Sequence, residues 1–155
     1  MSKSLKRVAE ALAAAGLSSE IREVGAARTA EEAAAAVGCG LDQIVKSIIF
    51  RGETSGHVVL FLTAGGNRVS AEKASAVAGQ ALGKADAGLI RAETGFAIGG
   101  VAPLGHLAPV RSYLDPRLCA FDRVFAAAGT PRHLFDIAPA DLLRVTGAEI
   151  ADFTE

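Results

Sequence analysis

The sequence predicts an α+β fold: a single domain over residues 1–155 with a mixed, strongly curved β-sheet flanked by helices. Three observations carry the prediction. Short apolar segments at helical spacing are interleaved with β-branched runs, which places both element types in one chain. Helices and strands do not alternate strictly, so a βαβ-wound parallel sheet is excluded. The runs 44–50 and 57–63 are separated only by the turn residues of 52–56, which reads as an antiparallel hairpin.

The elements follow in order. Leu5, Val8, Ala9 and Leu12 share one face of a helix over about 3–15, with Gly16 as its C-terminal cap. This segment starts basic and turns apolar as a signal peptide does, but Arg7 and Glu10 interrupt the apolar part, which makes it an amphipathic first helix. Residues 18–24 alternate as a strand. Thr29-Ala-Glu-Glu32 is a capping box that opens a helix to Val37, closed by Gly38 and Gly40. After a turn at Asp42 come the strands 44–50 and 57–63, closed by Gly65-Gly66-Asn67. Ser70 caps a third helix through Val77 that ends at Gly79, and 84–93 reads as helical. Residues 94–105 combine a short apolar strand with glycines and Pro103, a composition that brings backbone close to a neighbour. Strands at 110–114, 122–127 and 134–137 are separated by turns at Asp115-Pro116 and Gly129-Thr130-Pro131, and Pro139 and Asp141 begin a terminal helix.

Composition narrows the functional classes. Half of the 155 residues are hydrophobic, which suffices for one core, and no apolar run approaches the ~20 residues of a membrane span. Alanine accounts for roughly a fifth of the residues and aromatics for only 5%, so the apolar content comes from small side chains. Net charge is −1, which argues against bulk electrostatic grip on a nucleic-acid backbone, although sixteen Lys and Arg could still gather on one face. Cys39 and Cys119 form neither a disulfide framework nor a metal motif; they are expected to be buried and inert, in a cytoplasmic protein with no metal and no cofactor.

Two features stand out as chemistry-bearing. Lys46 lies in an otherwise apolar strand, where it is either an edge lysine that blocks aggregation or a cationic anchor for an anionic or polar ligand. The segment from Gly95 to Gly105 is either a structural turn or a loop whose unshielded N–H groups bind a carbonyl or oxyanion; it lacks the G-x-G-x-x-G pattern of a dinucleotide loop. Ser47, Ser70 and Ser112 lack a nucleophile-elbow setting, and His57, His106 and His133 form no triad or metal pattern. Asp136 and Asp141 read as strand-end and helix-cap residues, and His133 beside Arg132 as a solvated turn pair. Any chemistry therefore uses water and positioned backbone.

The order of T-A-E-E-A-A (29–34), I-V-K-S-I-I-F (44–50), T-G-F-A-I-G-G-V-A-P-L-G (94–105) and A-A-G followed by D-L resembles the YbaK family, free-standing relatives of the editing domain of bacterial prolyl-tRNA synthetase. The resemblance covers nearly the whole chain. Its most specific parts are the strand lysine, matched by Lys46, and a G-x-x-x-P loop, matched by Gly99-Gly-Val-Ala-Pro103.

The resemblance implies a trans-editing hydrolase that cleaves the ester of mischarged aminoacyl-tRNA, carrying a small non-cognate amino acid on tRNA(Pro) or a related tRNA. Lys46, Gly99 and Gly100 would be the catalytic set, with Lys46 anchoring the tRNA 3′ end and backbone at Gly99, Gly100 and Val101 polarising the carbonyl and positioning water. Thr29, Ser47, Phe96, Val101, Pro103, Ala128 and Gly129 would bind substrate. Expected partners are the acceptor end of mischarged tRNA and an aminoacyl-tRNA synthetase such as prolyl-tRNA synthetase, or an elongation factor, with no membrane; the chain is a monomer or homodimer. Ser47 replaces the asparagine of alanine-clearing relatives, and Ala126-Ala-Ala-Gly129 replaces a segment that holds a serine in the cysteine-clearing relative. Small or hydroxylated amino acids stay open as substrates. The competing reading is a non-catalytic module that binds an amino acid or nucleotide or docks on a synthetase.

Overall fold

The computed structural model describes residues 2–155 and is α+β. Helix α1 (Lys3–Ala14) is capped by Ser2, whose hydroxyl accepts from the Leu5 N–H at 3.1 Å, and buries Val8 and Leu12. Strand β1 (Ile21–Glu23) leads to α2 (Ala30–Val37). The Thr29 hydroxyl accepts from the Glu32 N–H, and the Glu32 carboxylate accepts from the Arg28 N–H, each at 3.1 Å. Gly38 closes α2 in the left-handed conformation at φ 73°.

Strands β2 (Val45–Gly52) and β3 (Val58–Ala64) form the expected antiparallel hairpin, with Lys46 opposite Thr63 and Ser47 opposite Leu62. Helix α3 (Ala71–Ala78) starts at the Ser70 cap. Strand β4 (Leu82–Lys84) then pairs with the far end of β2 before α4 (Ala87–Thr94) begins at the Asp86 cap. The expected helix over 84–93 is thus shortened: Lys84 ends a strand, because Gly83 lets the chain pair flat against Arg51. Strand β5 (Arg111–Leu114) lies parallel to β3. Strands β6 (Val124–Ala127) and β7 (His133–Ile137) form a second hairpin, followed by α5 (Pro139–Thr146) and β8 (Glu149–Ile150), parallel to β5.

These strands make two sheets. One is mixed and five-stranded in the order β4-β2-β3-β5-β8; the other is antiparallel in the order β1-β7-β6. A single bridge between Ile44 and Phe125 ties the second sheet to the start of β2. All seven residues of β3 are buried, so both faces of the central strand are covered. Leu60 and Leu62 join a large core with Val8, Phe96, Phe135 and Leu142, whereas Val59 and Phe61 pack on Ala74, Tyr113 and Phe153.

Three local expectations are corrected. Residues 94–105 contain no strand: left-handed glycines at 95, 99 and 105 turn the chain repeatedly and leave no extended run to pair. Asp136 lies within β7 rather than at its end, bonded to Arg123 at 2.8 Å, and Asp141 sits in the first turn of α5, whose cap position is Ala138. Cys119 is exposed and Cys39 half-buried, not core residues. Partial burial nevertheless pushes both thiols above their ordinary pKa, which keeps them protonated.

Candidate active site

Strand β2 has a ladder partner on both sides only at residues 50–52, where β4 joins it. Over 45–49 its flank away from β3 has no ladder partner, β6 being tied to the start of β2 through the Ile44–Phe125 bridge, and a cavity of about 510 Å³ opens there between β2, the start of α2, and the loop after α4. Lys46 therefore sits on a strand flank, as the edge reading requires, and on a cavity wall, as the ligand reading requires.

Thr29, Lys46, Ser47, Gly99 and Val101 all line this cavity. Lys46 and Val101 are far apart in sequence but are brought together through Ser47, whose hydroxyl donates to the Val101 carbonyl at 2.8 Å. The loop is held from its other side as well. Phe96 is fully buried, and its N–H donates to the Thr94 hydroxyl at 3.1 Å. The Arg7 guanidinium stacks 5.4 Å above the Phe96 ring, and the His106 Nε2–H donates to the Ala102 carbonyl at 2.7 Å. Burial pushes the His106 pKa below its ordinary value, so the ring is held neutral, partly offset by that hydrogen bond.

The two glycines of the loop do different work. Gly99 has φ 91°, which a side chain rarely tolerates. Gly100 admits the backbone of Thr130, which would lie 2.8 Å from a Cβ there. Its N–H donates to the Ala97 carbonyl at 3.1 Å, closing a turn. The N–H groups of Gly99 and Val101 donate to no acceptor among the described residues.

Phe96, Gly100, Pro103, Ala128 and Gly129 lie outside the cavity lining. Phe96 and Ala128 are fully buried beneath the loop, and Gly129 lies against Phe96 and the Ser4 backbone. Pro103 faces a separate groove with His106 and Val110.

Arg28 and Lys84 also line the cavity and carry no signal in the sequence, since each is an isolated basic residue in a turn or strand end. With Lys46 they supply three cations, and no carboxylate lines the cavity. The near-neutral whole-chain charge thus conceals a locally positive site. The rest of the wall is aliphatic, including Ile44, Ile49, Ile90 and the exposed Ile98. Among the described residues no cluster of His, Cys, Asp or Glu could hold a metal, and no helix is long and apolar enough to cross a membrane.

Fold and site together define an α+β domain with a cationic, carboxylate-free pocket walled by a lysine-bearing strand and a glycine loop. Residues 24–145 match the model of the aminoacyl-tRNA editing domain, and the chain belongs to that family. It is 33% identical over 114 residues to the uncharacterized protein YwhH of Bacillus subtilis (strain 168), covering 74% of this chain and 72% of that protein. Among solved structures it is similar to a candidate trans-editing enzyme for prolyl tRNA synthetase, at 46% identity and TM-score 0.93, covering 100% of this chain and 99% of that one. The hypothetical protein APE2540 is similar at 29% identity and TM-score 0.86, over 96% of this chain and 99% of that one.

Proposed function

We propose that the chain is a trans-editing deacylase that hydrolyses the ester linking a small non-cognate amino acid to the 3′ end of tRNA(Pro) or a related tRNA. The need for such an enzyme is physical, because a synthetase pocket separates amino acids by only about 1–3 kcal/mol per methylene, so accuracy takes a second sieve. The reading is carried by one observation: the Ser47–Val101 hydrogen bond, which joins the lysine strand to the glycine loop on one cavity wall.

In this reading the Lys46 ammonium and the neighbouring Arg28 and Lys84 hold the terminal adenosine and its phosphates. The amino acid lies against the aliphatic wall, with Thr29 and Ser47 at its polar edge. Water attacks the ester carbonyl carbon, a C–O bond forms, and the resulting oxyanion is met by the free N–H groups of Gly99 and Val101. The bond between the acyl carbon and the ribose oxygen then breaks, the ribose oxygen takes up the proton given up by the attacking water, and free amino acid and tRNA leave. Gly100 contributes by letting the loop seat on Thr130, and Phe96, Pro103, Ala128 and Gly129 support the loop from behind. No side-chain nucleophile enters the scheme.

With net charge −1 the chain binds uncharged tRNA weakly and in a salt-dependent way, so recognition centres on the acceptor end, with prolyl-tRNA synthetase or an elongation factor supplying the remainder. Single-turnover hydrolysis of tRNAs charged with alanine, cysteine, serine, threonine and proline tests the proposal. Release of one or a few non-cognate amino acids is expected; no release from any, with synthetase added, returns the chain to the class of binding modules.

A further inference from the structure

Asp115 is a buried carboxylate, 2% exposed, that the hydrolytic scheme leaves without a task. Its oxygens accept only from neutral donors: Oδ2 from the Ala64 N–H at 3.1 Å and the Asn67 Nδ2 at 2.8 Å, and Oδ1 from the Arg117 N–H at 2.9 Å. The first two donors bracket the turn Ala64-Gly-Gly-Asn67, and the Asn67 N–H closes that turn on the Ala64 carbonyl at 2.9 Å. A second carboxylate holds the middle of the turn, as Asp42 Oδ1 accepts from the Gly66 N–H at 2.8 Å while its Oδ2 accepts from the Arg117 Nε at 2.9 Å. The Arg117 hydrogen bond holds Asp42 below its ordinary pKa, with smaller help from the Lys46 charge. What this clamped turn presents is the Asn67 carbonyl, and the Lys46 ammonium donates to it.

We infer that Asp115, acting through Asn67, is a positioning residue for Lys46. The inference rests on the reading of Lys46 as the anchor of the tRNA end. A lysine has four rotatable bonds and must be ordered before it can meet a ligand with geometric selectivity. Docking one of its three N–H donors on a fixed carbonyl orders the side chain in advance and leaves two donors for the ligand. A carboxylate suits the far end of the chain of contacts because charge-assisted bonds to amide donors are the stronger kind. The turn is a specialised one, since side chains at Gly65 and Gly66 would collide with the Leu41 carbonyl and the Asp42 carboxylate.

Two variants test it. Asn67→Ala removes the amide that reaches Asp115 and keeps the backbone carbonyl; Asp115→Asn replaces the carboxylate, and Asn67→Ala alone carries the test if that protein fails to fold. The reactivity of each lysine toward N-hydroxysuccinimidyl acetate is read by mass spectrometry, with Lys73 and Lys84 as references. Lys46 labelling is expected to rise roughly threefold to tenfold with the reference lysines unchanged, and KM for the hydrolysed ester to rise by a similar factor with kcat little altered. Wild-type Lys46 labelling in folded Asn67→Ala overturns the inference, as does raised labelling with unchanged KM. Raised labelling in a protein whose wild type hydrolyses no ester keeps the link from Asp115 to Lys46 and removes the editing role instead.

Discussion

The two faces of β3 are filled in different ways. Behind one, Phe61 stacks on Phe153 at 4.9 Å between ring centroids and meets Tyr113 edge-on at 5.2 Å, so aromatic side chains close the space completely. Behind the other, Leu60 and Leu62 join the core of Val8, Phe96, Phe135 and Leu142, and beyond the flank of the neighbouring β2 a cavity of about 510 Å³ is left, its wall mainly aliphatic with Arg28, Lys46 and Lys84. The aromatic face holds itself by area and fit. The cavity face is held by directional bonds: Ser47 to Val101, His106 to Ala102 and Lys46 to Asn67. Half of the chain's eight aromatics, Phe50, Phe61, Tyr113 and Phe153, thus gather on one face of the sheet, whereas the cavity wall itself carries none.

Breaking the closed side has the largest expected effect. Phe61→Ala deletes a fully buried ring and should cost about 3–5 kcal/mol of stability, read from urea unfolding, with activity falling only as the folded fraction falls. On the open side Gly100→Ala forces a methyl group against the Thr130 backbone. It should cost about 1–3 kcal/mol and displace the loop, so deacylation falls even at temperatures where the protein stays folded. Ser47→Ala removes a single hydrogen bond to the loop; a loss of about 1 kcal/mol and a several-fold slower single-turnover rate are expected, which separates loop placement from packing.

The smallest effect depends on pH. Because burial lowers the folded-state pKa of His106, the unfolded chain binds the proton more readily. The associated stability is complete above the unfolded value of about 6.5 and erodes as the pH falls from there toward the folded pKa. Urea midpoints of His106→Gln should therefore fall less than those of wild type between about pH 7.5 and about pH 5. An equal fall would remove His106 from the acid response.

How much of this was legible depended on whether the signal was local. The β2–β3 hairpin, the Thr29 capping box and the Ser70 cap follow from neighbouring residues, and so does the position of Lys46 in a strand. Strands β4 and β8 did not show, because two or three residues that pair only at a sheet edge have no periodicity to read. The segment 94–105 looked apolar enough for a strand, but Phe96 turns into the core and the glycines on either side reverse the chain. Arg28 and Lys84 meet Lys46 only through tertiary folding. Asp115 read simply as a turn residue before Pro116; its hold on Asn67 spans 48 residues of sequence, a separation no local pattern reports.

The central claim is that the cavity beside Lys46 is where the ester is hydrolysed. Its most direct test is a paired measurement on Lys46→Ala: the single-turnover rate on the most readily hydrolysed aminoacyl-tRNA of the wild type, and the Tm of the same preparation. The account predicts a rate lowered by about two orders of magnitude with Tm within a few degrees of wild type. A wild-type rate, or a rate that falls only in step with a collapsed Tm, would contradict it and return Lys46 to the role of an edge-strand lysine.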